Sequence, residues 1–257
     1  MKSISSAANP RYRALRRLVQ SSQERKRTRL SVLDGVHLAA AYIGQVGRPR
    51  TIAVSRGGLS NPEVRALLDI AGGVEILALG DALFTTLSSV ATPTGILAVV
   101  DTPRPELAPR AMDACVMLED LQDPGNLGSI LRSCAATGVR HVLLSRGSVH
   151  AWSPRVLRAG MGAHFALVIH EGTDLVAAAR EFRGSRVATQ AAAPRTVFDA
   201  DLRGPVALMF GNEGAGLSAN LIAAADCVVS IPMPGTAESL NVAAAAEIGR
   251  ASCRERV

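Results

Sequence analysis

Three polar, glycine-bearing segments in the second half of the chain contain the residue types that bind a ligand. They span residues 123–132, 210–217 and 231–242, and each follows an apolar stretch with the pattern of a strand. Ligands of open α/β sheets bind at the carboxyl ends of the strands. Glycines let the backbone approach a ligand closely, and prolines in the third segment stiffen an apolar loop. The three segments are therefore predicted to form one binding site.

Taken singly, each segment also has a purely structural interpretation. Gly214 and Gly216 are typical of a turn, Ser239 of a helix N-cap, and Asn126 of an Asx-turn. A dinucleotide-binding loop is excluded, because the first strand of this half is followed by Asp123-Pro124-Gly125-Asn126 and not by G-x-G-x-x-G. The chain also lacks the lysine of a P-loop.

Strand and helix patterns alternate along the chain, which predicts an α/β fold. In the first part the predicted strands are 31–33, 51–55, 74–79 and 96–100, and the helices are 36–45, 61–70 and 81–90. In the second part the strands are 115–121, 139–145, 165–169, 187–189, 206–210 and 228–231; the helices are 128–137, 154–160, 175–182 and 221–225, with another opening near Leu240. Continuous apolar strands that alternate with helices predict a parallel sheet in the second part.

Three prolines between residues 102 and 109 mark a linker between two domains. The predicted organisation is a small α/β domain at 1–101, a linker at 102–111, an α/β domain with a parallel sheet at 112–246, and an anomalous tail at 247–257.

Composition excludes several classes of protein. Aromatic residues make up only 3% of the chain against 48% hydrophobic residues, so the core is predicted to be aliphatic. No apolar run approaches the roughly 20 residues of a membrane span, and the first residues lack a signal-peptide pattern, so we expect a cytoplasmic protein that does not bind membranes. The four cysteines are far apart and the histidines lie outside metal-ligand spacings, which predicts reduced thiols and no metal site.

The positive charge is concentrated near the N-terminus. The net charge is +6, and the stretch 11–29 contains eight basic residues against one acid, Glu24. The basic residues are Arg11, Arg13, Arg16, Arg17, Arg25, Lys26, Arg27 and Arg29. Such a density is typical of a surface that neutralises nucleic-acid phosphates. The alternative is a solvated basic helix.

Together and in this order, the three segments resemble the signature motifs of the SpoU/TrmH family of RNA 2′-O-ribose methyltransferases, in the SPOUT superfamily. The first resembles N-x-G-x-x-x-R, with Asn126, Gly128 and Arg132; the second resembles F-G-N-E-G-x-G at 210–216; the third resembles I-P-M-x-G-x-x-x-S-L-N-V at 231–242. The likeness extends over 113–246 and includes the stretch 153–163. Residues 9–100 resemble, more weakly, the family's appended substrate-binding domain, which is similar to ribosomal protein L30.

The resemblance implies an S-adenosylmethionine-dependent enzyme with a carboxyl-terminal trefoil knot and an active site shared across a homodimer. The implied catalytic residue is Arg132, which would orient the 2′-hydroxyl and stabilise developing charge, with base action as a second possibility. It implies a supporting role for Asn126, Glu213, Ser239 and Asn241. The implied donor-binding residues are Thr189, Gly211, Asn212, Gly214, Ile231, Met233, Ser239 and Leu240. The alternative for Arg132 is an ion pair with Asp120 or Glu119.

The RNA is expected to be 23S ribosomal RNA, with transfer RNA as the alternative substrate. A hypothesis from a different class is a non-catalytic RNA-binding or ribosome-assembly protein on the same fold. An unrelated nucleotide-binding α/β enzyme is a third, disfavoured by the missing phosphate loops.

The tail at 247–257 departs from the family. There the third motif opens a long apolar helix, but here residues 247–257 lose the apolar period and are charged. The same eleven residues are encoded by a common sequencing adapter read in one frame. We therefore expect this tail not to belong to the natural protein, the alternative being a genuine short basic terminus.

Overall fold

The computed structural model describes residues 1–88, 90, 92–233, 235 and 239–247. The chain divides into two compact units. The first comprises Met1–Pro103 with Trp152–Phe165, and the second comprises Arg104–Ala151 with Ala166–Val257. The segment Trp152–Phe165, placed in the second domain by the sequence analysis, therefore groups with the first unit.

The first unit contains a mixed sheet of five strands in the order β1-β4-β3-β5-β2. The strands are β1 (Lys2–Ile4), β2 (Leu30–Asp34), β3 (Thr51–Ser55), β4 (Glu75–Leu79) and β5 (Ile96–Asp101). β1 and β3 run parallel to β4, whereas β5 is antiparallel to β2 and β3. Strand β1 was not predicted from the sequence, because a strand of three residues with only Ile4 buried shows no alternation.

The helices of this unit follow the predicted order. They are α1 (Pro10–Gln20), α2 (Ser22–Thr28), α3 (Val36–Gln45), α4 (Pro62–Ile70) and α5 (Asp81–Thr85), with α7 (Pro154–Gly160) from the later segment. Asn9 and Asn61 cap α1 and α4 ahead of a proline, since each side chain accepts a hydrogen bond from the first turn. The helix predicted at 81–90 was too long, because α5 ends at Thr85.

The basic stretch forms two helices rather than one. Ser21 has an extended backbone, which ends α1, and its hydroxyl accepts the amide of Glu24, which starts α2. Tyr12, Leu15 and Leu18, which recur at helical spacing, are buried. The break turns the axis of the chain inside the basic segment.

The second unit contains a six-stranded sheet in the order β11-β9-β10-β6-β7-β8, in which neighbouring strands run parallel. The strands are β6 (Ala114–Leu118), β7 (His141–Leu144), β8 (Val168–His170), β9 (Ser185–Thr189), β10 (Val206–Phe210) and β11 (Cys227–Val229). The predicted parallel sheet is confirmed. All of β10 is buried, as expected for a central strand covered on both faces.

The helices of this unit are α6 (Pro124–Ala136), α8 (Leu175–Glu181) and α9 (Ala219–Ala223), and residues 242–247 are helical. α6 begins four residues earlier than predicted, because the Asp123 side chain accepts the amide of Asn126 at 2.8 Å and Pro124 fits the first turn. The strand predicted at 165–169 was partly wrong: Ala163–Ala166 is a 3₁₀ turn, and the strand covers Val168–His170.

Within the described ranges, no helix has both the length and the apolar character that crossing a membrane requires. Of the tail, Glu247 alone is described; it is helical, and its Oε1 accepts a hydrogen bond from Ser133 Oγ at 2.9 Å. The expectations for residues 248–257 lie outside the described residues.

Candidate functional site

A cleft of about 560 Å³ opens at the carboxyl ends of β9 and β10, beside the loop that follows β11. Its volume lies within the range of small-molecule sites, roughly 300–1,000 Å³. Its wall is formed by residues of all three candidate segments: Asn126, Phe210, Gly211, Asn212, Glu213, Gly214, Ala215, Gly216, Leu217, Ile231, Met233, Ser239, Leu240, Asn241 and Val242. Thr189, Gln190, Ala191, Ile222 and Ala245 complete it.

The loop after β10 is a closed turn organised by one side chain. Asn212 and Gly216 exchange two backbone hydrogen bonds, of 3.1 and 2.9 Å. The Asn212 Oδ1 accepts the amides of Gly214 and Ala215, and its Nδ2 donates to the Asp120 carbonyl at 2.8 Å. A Cβ at position 211 would overlap the backbone of Gly216 and Leu217, so only glycine fits there. The side chain of Asn212 is therefore engaged in shaping the wall of the cleft.

Glu213 connects this loop to the start of α6. Its Oε1 accepts the Asp123 amide and Asn126 Nδ2, both at 3.1 Å, and its Oε2 accepts the Gln122 amide at 3.2 Å. Burial works to raise the pKa of Glu213, but hydrogen bonds from its own amide, Asn126 and the two loop amides outweigh burial and lower the pKa. Glu213 is thus a carboxylate at the positive end of a helix.

Asn126 extends the connection to the third segment. Asn241 Nδ2 donates to Asn126 Oδ1 at 2.9 Å, and Asn241 Oδ1 accepts the Ala243 amide at 2.8 Å, which caps the helix at 242–247. Glu213, Asn126 and Asn241 therefore form one hydrogen-bonded chain through all three segments. Both ends of each amide have partners, so their orientations are fixed.

The remaining predicted residues of the site lie around the same cleft. Ile231, Met233, Ser239 and Leu240 line it, and Leu240 is 38% exposed at its edge. Thr189 ends β9 and donates its hydroxyl to the Met209 carbonyl at 2.9 Å. Residues 234 and 236–238 of the third segment lie outside the described residues.

Arg132 is the one predicted catalytic residue that does not line this cleft. It lies six residues after Asn126 on α6, which places it roughly 240° further around the helix and about 9 Å along it. Its side chain is exposed, and it has no hydrogen bond or ion pair within the described part of the chain.

The alternative partners of Arg132 are used elsewhere. Glu119 accepts both the amide and the hydroxyl of Ser218 at 2.7 Å, which holds the end of the glycine loop. Asp120 accepts the Ser145 hydroxyl at 2.6 Å. The proposed ion pair of Arg132 with either carboxylate is therefore not formed.

These observations agree with the comparison with known proteins. A family model described as the SpoU rRNA Methylase family matches residues 113–250. The chain belongs to this family. The 23S rRNA (guanosine(2553)-2′-O)-methyltransferase RlmP of Bacillus subtilis is 31% identical over 252 residues, which cover 96% of this chain and 97% of that protein.

Two solved structures of S-adenosylmethionine-bound proteins resemble this SpoU family protein along its length. An rRNA methyltransferase from Sinorhizobium meliloti has a TM-score of 0.86 and 27% identity, covering 100% of this chain and 98% of that one. The SpoU methyltransferase AviRb from Streptomyces viridochromogenes also has a TM-score of 0.86, with 29% identity, covering 96% of this chain and 98% of that one.

Several residues of the site were not predicted from the sequence. Gln122 and Asp123 use their backbone amides, which any residue type provides, so no side-chain pattern could have identified them. Gln190 and Ala191 line the cleft, and their one signal was their place directly after a strand. Ile222 and Ala245 belong to helices and look like ordinary core residues.

The basic segment of this SpoU family protein is largely solvent-facing. Seven residues are exposed and are called the basic surface below: Arg11, Arg13, Arg16, Arg17, Lys26, Arg27 and Arg29. Two of them form ion pairs, Arg11 with Glu75 at 2.6 Å and Arg27 with Glu24 at 2.7 Å.

Arg25 differs from these seven and corrects the sequence analysis, which assigned it to an RNA-contacting surface. It is only 5% exposed, and its Nη1 donates to the carbonyls of Leu18 and Val19 at 2.6 and 2.9 Å. Burial lowers the pKa of Arg25. The last carbonyls of a helix have no amide partner within the helix, and the Arg25 guanidinium supplies donors to two of them at the end of α1. Arg25 therefore holds the α1–α2 junction together.

Proposed function

We propose that this protein transfers a methyl group from S-adenosylmethionine to a ribose 2′-hydroxyl of structured RNA, with 23S ribosomal RNA as the substrate. The observation that carries the proposal is the Glu213–Asn126–Asn241 chain, which joins the three family motifs around one cleft. Relatives such as the RlmP protein of Bacillus subtilis are 23S rRNA methyltransferases, which favours ribosomal RNA over transfer RNA. The basic surface would supply phosphate contacts, on a domain expected to be L30-like.

The cleft suits the donor in chemistry as well as in size. Ile222, Ile231 and Met233 offer apolar walls, and the loop around Gly214 brings backbone close to the cavity. The ionised Glu213 places a negative charge in this wall, which favours a cationic ligand. When bound, S-adenosylmethionine supplies a methyl group already activated by a sulfonium centre.

The protein's own task is to position and polarise a ribose hydroxyl. Holding two reactants in a near-attack geometry lowers a barrier by about 7–11 kcal/mol in favourable cases. A guanidinium keeps its proton at neutral pH and presents several donors in a fixed fork. Arg132 would therefore orient the 2′-oxygen and stabilise the negative charge that develops on it, while the proton leaves to solvent or to another acceptor.

A second copy of the chain would complete the site. Arg132 does not line the cleft of its own protomer and lies on another face of α6 from Asn126. We propose a homodimer in which Arg132 reaches the cleft of the partner subunit. The family's carboxyl-terminal trefoil knot and a cytoplasmic location belong to the same proposal.

The test is methyl transfer itself. Purified protein is incubated with tritiated S-adenosylmethionine and either an unmethylated 23S rRNA transcript or a tRNA transcript, and modified riboses are mapped by mass spectrometry. We expect label on a ribose 2′-oxygen of the rRNA. Label on tRNA alone would mean that the substrate is tRNA and not rRNA. Label on a base would contradict methylation of the ribose 2′-oxygen.

The competing function is a non-catalytic RNA-binding protein on the same fold. Calorimetry distinguishes the two, because such a protein would bind RNA without binding the donor. The matched control is Met233→Arg, which fills the cleft with a cation and should abolish donor binding without touching the Glu213–Asn126–Asn241 chain. A wild-type protein that behaves like this variant would favour the non-catalytic function.

A further inference from the structure

One aromatic side chain stands apart from the others. The chain has five Phe, two Tyr and one Trp. Six of the eight are buried, and Phe165 is half-buried with its ring packed against Tyr42. Phe198 is 49% exposed, and its chain neighbours from 190 to 203 offer no other large exposed apolar side chain. Half of the Phe198 ring therefore leaves in water apolar area of the kind that the six buried aromatics remove from it.

The turn that carries Phe198 is held firmly. Val197 and Ala200 on either side are 1% and 0% exposed. Asp199 accepts both the amide and the hydroxyl of Thr196, which forms a capping box around the 3₁₀ turn. The Arg195 guanidinium donates to the Asp199 carbonyl at 2.7 Å. The ring is therefore presented outward on a fixed backbone, with an exposed cation over the same turn.

The same turn is attached to the rim of the donor cleft. Val197 donates its amide to the Ser230 carbonyl at 2.8 Å, and Ser230 donates its amide to the Arg195 carbonyl at 2.8 Å. Ser230 directly precedes Ile231, which lines the cleft. At the other end of the segment, Gln190 also lines the cleft. The turn is thus fastened beside one edge of the cleft to which an RNA would deliver a ribose.

We propose that Phe198 is a stacking platform for an unpaired base of the RNA substrate, next to the nucleotide whose ribose is methylated, with Arg195 facing the adjoining phosphate. This assignment rests on the proposed function. Proteins recognise single-stranded RNA by stacking splayed bases on aromatic rings, and a neighbouring arginine adds charge attraction. A base presents an apolar face of about the area of one ring, which matches an isolated phenyl group.

A protein partner fits this position less well. A stable interface needs about 800 Å² from each partner, with an apolar centre. In the same chain segment, 190–203, the other exposed residues include Pro194, Arg195, Asp199 and small residues such as Ala191 and Ala192. One ring in polar surroundings suits one planar ligand group.

Two variants test the stacking. Phe198→Leu keeps apolar bulk but removes the ring, and Phe198→Trp keeps a ring. With an unmethylated 23S rRNA transcript, Phe198→Leu should raise the KM for RNA about 5- to 150-fold, which corresponds to roughly 1–3 kcal/mol for one base–aromatic stack. Phe198→Trp should stay within a few-fold of the wild type. In both variants, kcat at saturating RNA and donor affinity should be unchanged.

A second measurement needs no turnover. Trp152 is the chain's single tryptophan and is 3% exposed, so it gives a constant background. Single-stranded oligoadenylate should quench the fluorescence of Phe198→Trp, and the same strand in a duplex should not. The matched control is Leu107→Trp, at a position that is 39% exposed, where no quenching is expected.

An unchanged KM in Phe198→Leu or an unquenched Trp at position 198 would overturn the platform. A halved native mass in Phe198→Leu would overturn it too, because the ring would then be a contact between copies. Failure of the proposed function looks different: the wild type would transfer no methyl group to the transcript while oligoadenylate still quenched Phe198→Trp.

Discussion

Asn126 shows how two neighbours fix the direction of one amide. Its Nδ2 faces the Glu213 carboxylate, and its Oδ1 faces Asn241 Nδ2. A carboxylate at this position would oppose Glu213 across about the same 3.1 Å. Two carboxylates that close cannot both ionise without raising one pKa.

An ionised aspartate at position 126 cannot donate to Glu213, so Asn126→Asp would break the hydrogen-bonded chain that joins the three segments of the cleft. Losing one charge-assisted hydrogen bond costs about 1.5–3 kcal/mol, and we expect donor affinity at pH 7 to fall by roughly tenfold or more. When folding raises the pKa of a carboxyl group, the folded protein loses stability as the pH rises above the pKa that the group has in the unfolded chain, near 4. The deficit in Tm should therefore be larger at pH 7 than at pH 5. Asn9→Asp is the matched control, because Asp is an equally good N-cap and the Asn9 side chain only accepts the Arg11 amide and faces no carboxylate in the described part of the chain. An equal Tm deficit at both pH values would contradict the opposed-carboxylate argument.

Arg132→Ala should reduce methyl transfer by roughly 100-fold or more, the usual cost of removing a donor to a developing oxyanion. The donor dissociation constant should stay within a few-fold of the wild type, because Arg132 does not line the cleft that would hold the donor. Single-turnover assays and calorimetry on the same preparation measure both. Near-normal turnover would remove Arg132 from the catalytic machinery.

The sequence predicted which residues belong to the site far better than it predicted where each side chain points. The types and spacing of Asn126, Glu213 and Asn241 indicated a shared site, and the structure brings them into one hydrogen-bonded chain. Arg25 looked identical to its basic neighbours, yet the break at Ser21 turns it toward the carbonyls of α1. A charge pattern records what a side chain is, and only the path of the backbone decides whether it meets solvent.

At the scale of elements, the basic surface on α1 and α2 predicts a salt-dependent affinity for RNA. Arg13, Arg16 and Arg17 are exposed and form no ion pair within 4 Å in the described ranges. Reversing all three to Glu should weaken binding of the 23S transcript and flatten its slope against log salt by roughly 0.7–0.9 per lost phosphate contact. Donor affinity should not change.

The matched control reverses Arg104, Arg180 and Arg183, which are also exposed, so the change in net charge is the same. If both triple variants shift the salt slope equally, the effect is one of total charge and the basic surface is only a solvated face.

Strands β7 and β8 place two histidine rings against each other. His141 and His170 stack with centroids 5.9 Å apart. Burial lowers the pKa of both; Arg140 lowers that of His141 further while Asp113 opposes the shift, and His141 lowers that of His170. Within the described part, His141 Nδ1 and His170 Nε2 are buried without a hydrogen-bond partner. Protonation would therefore place charge in an unfavourable position.

Because folding lowers both pKa values, the unfolded chain takes up protons first as the pH falls through about 6.5. The free energy of unfolding should thus decrease between pH 7.5 and 5.5. His170→Phe should flatten this dependence, whereas the exposed His37→Gln should leave it intact. Urea titrations at several pH values measure it, and an identical slope in His170→Phe would exclude the pair as its source.

The predicted bounds of helices and strands were wrong where local capping and turn chemistry outweighed the hydrophobic pattern. α6 starts at Pro124 because Asp123 caps it, although the apolar period becomes visible only later. Residues 163–166 are apolar enough for a strand but form a 3₁₀ turn. Strand β10 was predicted to the residue, since its complete burial leaves a continuous apolar run, whereas β6 beside it was predicted at 115–121 and ends at Leu118.

For the whole molecule, the decisive question is whether one chain makes a complete site. Arg132→Ala and Met233→Arg should each be inactive alone. After the two variants are mixed, unfolded and refolded together, about half of the proposed homodimers would combine the two chains, and one of the two sites in each would have both an intact cleft and the partner's arginine. We expect about a quarter of wild-type activity to return. No recovery would mean that Arg132 acts within its own chain.

The strand order also determines when the second unit can form during synthesis. β6 pairs with β7 and with β10, but β10 follows β6 by almost 90 residues. Translation proceeds at about 5–20 residues per second, so one edge of the apolar strand β6 stays unpaired for roughly 5–20 s before β10 has been synthesised. The unpaired backbone N–H and C=O groups of an exposed strand edge can pair with a strand of another molecule. Overproduction at high translation rates should therefore send this protein into aggregates, and slower synthesis or a co-expressed chaperone should recover it.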